Sequence, residues 1–146
     1  MTLLKSYYQL CKPNVVYMML ICAFVGMLLA EETVRSFGYL FVALSGIALC
    51  SASAAAINQV IDRNTDALMT RTDQRPLPKG ELSATHASVF AFVIGVIGAL
   101  ILYFYVNTLT MILTIASLIG YAFIYTIYLK RATPQNIVIG GLAGAA

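Results

Sequence analysis

Apolar residues fall into four long runs, at 15–30, 37–57, 87–106 and 108–129, with short polar joints between them. The last three are 21, 20 and 22 residues long. An α-helix needs ~20 residues to cross the hydrocarbon core at ~1.5 Å per residue, so each is long enough to span. The first run holds 16 residues, and another apolar run follows it instead of a small-x-small cleavage site and a polar domain. It reads as a first transmembrane helix and not as a signal-peptide core. All four runs are apolar on every side, whereas the strands of a membrane barrel would alternate. The pattern therefore predicts an all-α, polytopic transmembrane bundle. Residues 31–36 join the first pair of helices, and Asn107 is almost all that separates the third from the fourth, which makes an antiparallel hairpin of that pair. A fifth apolar run, 137–146, is only 10 residues long. It is expected to be the start of a fifth helix, with a re-entrant segment as the alternative. Residues 1–146 would then be the N-terminal part of one transmembrane domain, with a cytoplasmic motif loop at 58–86.

Composition supports the membrane class. Of 146 residues, 60% are hydrophobic and 10% charged, and the mean hydropathy is +0.85. A soluble domain would be about a quarter charged. The lipid bilayer is the expected environment, and no nucleic-acid partner is expected. Cys11, Cys22 and Cys50 are odd in number and irregularly spaced, and two lie in apolar runs, so they read as packing residues. Four spans put the N-terminus, 58–86 and 130–136 on one side. These regions carry Lys5, Lys12, Arg63, Arg71, Arg75, Lys79, Lys130 and Arg131, leaving only Arg35 opposite. The positive-inside rule places that side, with the N-terminus, in the cytoplasm. Small residues also recur within the runs. "SGIALCSASAAAIN", the Gly95/Ala99 pair and the Gly140/Gly144 pair have the spacing that lets helices approach closely in lipid.

One stretch departs from this apolar pattern. "NQVIDRNTDALMTRTDQRPLPKG", residues 58–80, holds three acids, four bases and two prolines. Asn58, Asp62 and Asp66 recur every four residues. On an α-helix that step offsets each side chain by about 40° and ~6 Å along the axis, so the three form a ladder on one face. They would continue the second helix out of the membrane. Two carboxylates on one face repel each other. The ladder is either a solvated helix end or a site for a cation such as Mg²⁺, which takes oxygen ligands and keeps waters and substrate phosphates in its shell. Arg71, Arg75 and Lys79 continue the four-residue period, but Pro76 and Pro78 disfavour helix at the residues before them. The basic residues are expected on a bend curling back toward the acids. Carboxylates holding a metal, with guanidinium forks on the anion, is the arrangement that a metal-bridged diphosphate requires.

Lys130 and Arg131 close the fourth run on the same side, as an interfacial anchor or a second anion contact. Tyr121, Tyr125 and Tyr128 precede them at i, i+4 and i+7. On an α-helix these form one aromatic face, either a belt residue set or the wall of an isoprenoid or ring pocket. Asn136 is a candidate cap for the fifth helix. His86, at the start of the third run, reads as an interfacial residue, with a proton-transfer or ligand role as the alternative.

The 58–80 stretch resembles the first aspartate-rich motif of the UbiA-type intramembrane prenyltransferases, N-x-x-x-D-x-x-x-D followed by M-x-R-T-x-x-R-P-L. "YTIYLKRATPQNIVIGGLAGAA" is similar, more specifically, to the haem-prenylating branch of that family, and "CKPNVV" fits its opening. The resemblance covers nearly the whole chain. It implies a helical membrane enzyme that transfers farnesyl from farnesyl diphosphate to a vinyl group of haem B, giving haem O. Haem B would be a substrate and not a cofactor. By motif match, Asn58, Asp62 and Asp66 would hold Mg²⁺–diphosphate. Arg71, Arg75 and Lys79 would contact the anion, and Lys130 and Arg131 would lie near the mouth of the site. The resemblance further implies a bacterial inner membrane, with haem-copper oxidase assembly or haem A synthesis proteins as partners. The family's second aspartate-rich motif has no match among the six acids here, so the chain is expected to carry half of the site and to lack activity alone. Two other readings remain: a prenyltransferase acting on a quinone precursor, and a non-enzymatic transport or assembly module with Asp62 and Asp66 in a cation pathway.

Overall fold

A computed structural model describes residues 3–30, 36–70 and 72–129. It is all-helical, with no strand among the described residues. Helix α1 (Leu3–Leu10) and α2 (Pro13–Ala30) come first, followed by α3 (Phe37–Asp66), α4 (Ala84–Tyr105) and α5 (Thr108–Ile119). Helix α5 runs directly into a π-wound segment, Gly120–Leu129. Three helical stretches are long and apolar enough to cross a membrane: α3, α4 and the continuous Thr108–Tyr128. A fourth span results if α1 and α2, bent by 45° at their junction, count as one. The chain is an integral membrane protein.

Local chemistry explains the boundaries. Helix α3 begins at Ser36, whose hydroxyl accepts from Tyr39 N, and α4 at Ser83, which accepts from His86 N. Asn107 caps α5 by accepting from Thr110 N at 2.6 Å, so the tight joint of the expected hairpin is an N-cap. His86 is exposed in the first turn of α4. One predicted boundary needs correction. The region 58–86 is not one loop: its first nine residues are the last turns of α3, the connector proper is 67–83, and α4 starts at Ala84. The sequence reading also overlooked α1, a short helix whose buried face, Ser6 and Leu10, packs against the other elements at this end.

Helices α3 and α4 share the most extensive interface, and small residues make it. A Cβ on Gly98 would lie 2.8 Å from Cys50 Sγ and 2.8 Å from Gly46 O. A Cβ on Gly95 would lie 2.7 Å from Ser53 Oγ. Ser53 Oγ donates to Ala91 O at 2.7 Å, adding a polar link where the backbones meet. The contact surface on α4 includes Ala91, Gly95 and Gly98, and Ala99, the partner expected for Gly95, is half-buried as Gly95 is. Beyond the glycines, a cluster of Leu10, Ala56, Leu77, Leu82, Ala87 and Ala91 joins α1, the end of α3, the connector and the start of α4. Tyr7 and Phe90 pack on it with ring centroids 4.8 Å apart. That cluster fixes the connector against the helix ends.

A methyl at Gly98 has backbone atoms for neighbours and nowhere to go. Gly98→Ala is expected to destabilise the protein by about 1–3 kcal/mol, the usual range for overpacking. Gly26→Ala, with nothing within 4 Å, should be neutral. Thermal unfolding in detergent should show a lower midpoint for the first variant alone.

Candidate active site

The acid ladder is where the four-residue spacing puts it, but it is buried. Asn58 is 4% exposed, Asp62 4% and Asp66 3%. They lie on the last turns of α3, on the face covered by α1, the connector and the π-wound segment. A carboxylate taken from water needs partners for its charge, and the surrounding elements supply them. Asn58 Nδ2 donates to Asp62 Oδ2 at 3.2 Å and to Thr126 Oγ1 at 2.9 Å. Asn58 Oδ1 accepts from Lys12 Nζ at 2.5 Å. Asp66 Oδ2 is paired with Arg75 Nη1 at 2.5 Å.

Arg75 reaches Asp66 because the connector folds back. Thr72, 3% exposed, donates from Oγ1 to Asp66 O at 3.0 Å, and Arg75 N donates to Thr72 O. Pro76 is buried just beyond, and Gly80 takes a positive φ of 73°, a turn for which glycine is suited. Glu81 then accepts from Ser6 Oγ at 2.7 Å, tying the connector to α1. The expected proline bend therefore does bring a base to the acids, and that base is Arg75. Lys79 stays exposed. Arg71, Lys130, Arg131 and Asn136 lie outside the described residues.

Three polar residues at this end were missed as site residues by the sequence reading. In the sequence Lys12 counts only as a topology charge, yet its ammonium meets Asn58. Gln59, 2% exposed, donates from Nε2 to Gln9 O and Leu10 O, both at 3.1 Å, and so caps the C-terminus of α1. Thr126, 1% exposed, donates to Tyr121 O and accepts from Asn58, so it fastens the π-wound segment to the ladder. The "NQ" pair at 58–59 was the available signal: two amides in an otherwise small and apolar stretch need partners. The aromatic face also needs correction. Tyr121 and Tyr125 stack, with centroids 5.5 Å apart and planes at 10°. Tyr128 is 72% exposed. Hydrogen bonds to i+5 widen the turn beyond 3.6 residues, so seven residues no longer make two turns and Tyr128 leaves the stripe.

These donors fit a metal shared with a substrate. Two carboxylates and an amide oxygen on one face can hold Mg²⁺ with waters and phosphate oxygens completing its shell. Among the described residues, no three His, Cys, Asp or Glu side chains converge to hold a metal by themselves. A pocket of about 260 Å³ opens beside the ladder, lined by Gln9, Lys12, Gln59, Gln74, Arg75 and Pro76.

Comparison with known proteins settles the family. Residues 19–146 match the family described as UbiA prenyltransferase. The chain belongs to that family. It is 59% identical over 142 residues to protoheme IX farnesyltransferase 2 of Pseudoalteromonas atlantica, covering 97% of this chain and 47% of the relative. It is 57% identical over 141 residues to protoheme IX farnesyltransferase of Shewanella oneidensis, with the same two coverages. For the enzyme of that name from Idiomarina loihiensis the identity is 58% over 142 residues, covering 97% of this chain and 48% of the relative. The chain spans about half the length of the curated relatives it matches. No solved structure matches it. In this family member the buried acid ladder lies on α3 and is covered by α1, the connector 67–83 and the π-wound segment.

Arg75→Met would take from buried Asp66 the guanidinium it pairs with and loosen the connector from α3. Losing such a charge-assisted bond costs about 1.5–3 kcal/mol. Hydrogen exchange at the amides of 72–80 is expected to quicken at least tenfold, while exchange in α4 stays unchanged.

Proposed function

We propose that the protein carrying this chain transfers a farnesyl group from farnesyl diphosphate to a vinyl group of haem B, giving haem O. The observation that carries the reading is the buried ladder of Asn58, Asp62 and Asp66 with Arg75 folded back onto it. Neither a solvated helix end nor a packing surface calls for two carboxylates at 3–4% exposure. The haem acceptor, in preference to a quinone precursor, is supported by relatives at 54–59% identity that bear the name protoheme IX farnesyltransferase.

Asn58, Asp62 and Asp66 would hold Mg²⁺. Bound there, the metal supplies charge neutralisation and Lewis-acid polarisation of the diphosphate as it departs. Arg75 presents a planar guanidinium suited to phosphate oxygens, and Arg71, Lys79, Lys130 and Arg131 are assigned to the same anion by their motif positions. The reaction breaks the C1–O bond of farnesyl diphosphate, and the diphosphate keeps the electron pair. The terminal vinyl carbon forms the new C–C bond, water adds its oxygen to the carbon next to the porphyrin ring, and the water's proton is released. Fixed cations near the departing oxygen favour that charge separation over its unreacted state. The Tyr121–Tyr125 stack lies on the segment that Thr126 bonds to Asn58, which supports a role for it as an aromatic wall near the diphosphate end.

Residues 1–146 are assigned to the N-terminal part of one transmembrane domain. The ladder end is assigned to the cytoplasmic side of a bacterial inner membrane. Lys5, Lys12, Arg63, Arg75 and Lys79 all belong to the elements gathered at that end, which the positive-inside rule favours. Haem-copper oxidase assembly or haem A synthesis proteins would receive the product.

The test uses the complete polypeptide that carries this chain, in membranes, with haem B, farnesyl diphosphate and Mg²⁺, and haem O detected by mass. Haem O formation is expected. Asp62→Asn should lower the rate on the order of 10²-fold, the scale of losing one preorganised charge-stabilising group. Turnover of a quinone precursor with none of haem B would overturn the acceptor assignment.

A further inference from the structure

Lys12 is the one non-glycine residue with positive φ, 48°, among the described residues. That conformation is uncommon for a residue bearing a Cβ and persists where surroundings over-determine it. Here they do. Gln59 holds the two carbonyls before the break, Gln9 O and Leu10 O. Lys12 O accepts from Val15 N at 2.9 Å and Val16 N at 3.2 Å, starting the next helix. Pro13 cannot continue α1, because it lacks the N–H and its ring clashes with the preceding turn. The result is the 45° bend and an ammonium delivered to Asn58 Oδ1.

Asn58 has no slack in return. Its Nδ2 is committed to Asp62 and Thr126, so its oxygen must face Lys12. That oxygen is also one of the three ladder donors. A Mg²⁺ on it would sit about 2.0–2.1 Å away, against 2.5 Å for the ammonium. The two cations cannot share the oxygen without standing next to each other unscreened. Lysine is a point charge on a flexible stem, able to swing without moving the backbone. The pocket beside it is lined by Lys12 and Arg75 together, with Gln9, Gln59 and Gln74 as further polar lining.

We infer that Lys12 is an exchangeable cation of the metal–diphosphate site, resting on the function proposed above. Without metal and diphosphate it neutralises the ladder through Asn58. When the metal takes the Asn58 oxygen, the ammonium turns into the adjoining pocket, where a phosphate oxygen accepts a hydrogen bond from it. Lys12 is therefore a ligand-binding residue whose removal has opposite effects on the two halves of the substrate complex. It frees a donor for the metal and takes one cation from the anion.

Binding to the complete polypeptide in nanodiscs tests this. Mn²⁺ alone is followed by the loss of its free electron-resonance signal, and a non-reactive thiolo analogue of farnesyl diphosphate is titrated with Mg²⁺ present. Lys12→Met is expected to bind Mn²⁺ alone several-fold tighter and the analogue about tenfold weaker, the scale of one charge-assisted bond. Lys12→Arg should restore most of the analogue affinity. If both affinities fall in Lys12→Met, the residue is only structural and the inference is overturned; the same holds if either fails to move in the stated direction. A wild-type protein that binds neither Mn²⁺ nor the analogue would overturn the metal–diphosphate reading itself, an outcome separate from failure of Lys12 alone.

Discussion

Two carboxylates one helical turn apart, both almost wholly removed from water, set the terms for this end of the molecule. Asp62 and Asp66 are 4% and 3% exposed, and a pair of like charges so placed cannot persist without counter-charge and hydrogen bonds. Much of the surrounding architecture supplies them. The connector returns Arg75 to Asp66, and α1 breaks from α2 so that Lys12 reaches Asn58. The third described span reaches in with Thr126. The Lys12 and Thr126 contacts join residues 46 and 68 positions apart, so the ladder ties together elements that contiguous apolar packing alone would leave loosely related.

The membrane-embedded part is arranged to allow this. Helices α3 and α4 approach through Gly46, Gly95 and Gly98, with Ser53 bonded to the Ala91 carbonyl. Lipid offers no hydrophobic drive for such contact, so packing and polar links must hold it. At the ladder end a conventional core of Leu10, Leu77, Leu82 and Ala87 takes over and locks α1 and the connector in place. The site is therefore carried on packed helices and a locked connector, which suits the proposed transfer, whose catalysis would rest on preorganised charge.

Legibility in the sequence followed the range of the interaction. The spans, the tight joint at Asn107 and the Asn58–Asp62–Asp66 ladder were all readable, because each depends on neighbours within a turn or two. The return of Arg75 was readable too, since Pro76 and Pro78 forbid a straight continuation. Lys12 was not. Its role depends on a positive φ and on a partner 46 residues away, and its charge had a sufficient explanation in topology. Helix α1 was hidden by its shortness. The aromatic stripe misled at Tyr128 because the reading assumed α winding, and nothing in "GYAFIYTIYL" announces the wider turn of a π-helix. Arg71, Lys130 and Arg131 rest on motif match alone.

The central claim is that the ladder holds a metal and a diphosphate at the same time. The most direct measurement is electron–nuclear double resonance on the complete polypeptide loaded with Mn²⁺ and the thiolo analogue of farnesyl diphosphate. A ³¹P coupling to the metal is predicted in the wild type, lost when Asp62 and Asp66 are both replaced by Asn. Bound Mn²⁺ with no phosphorus coupling, or a coupling that survives the double replacement, would contradict the account.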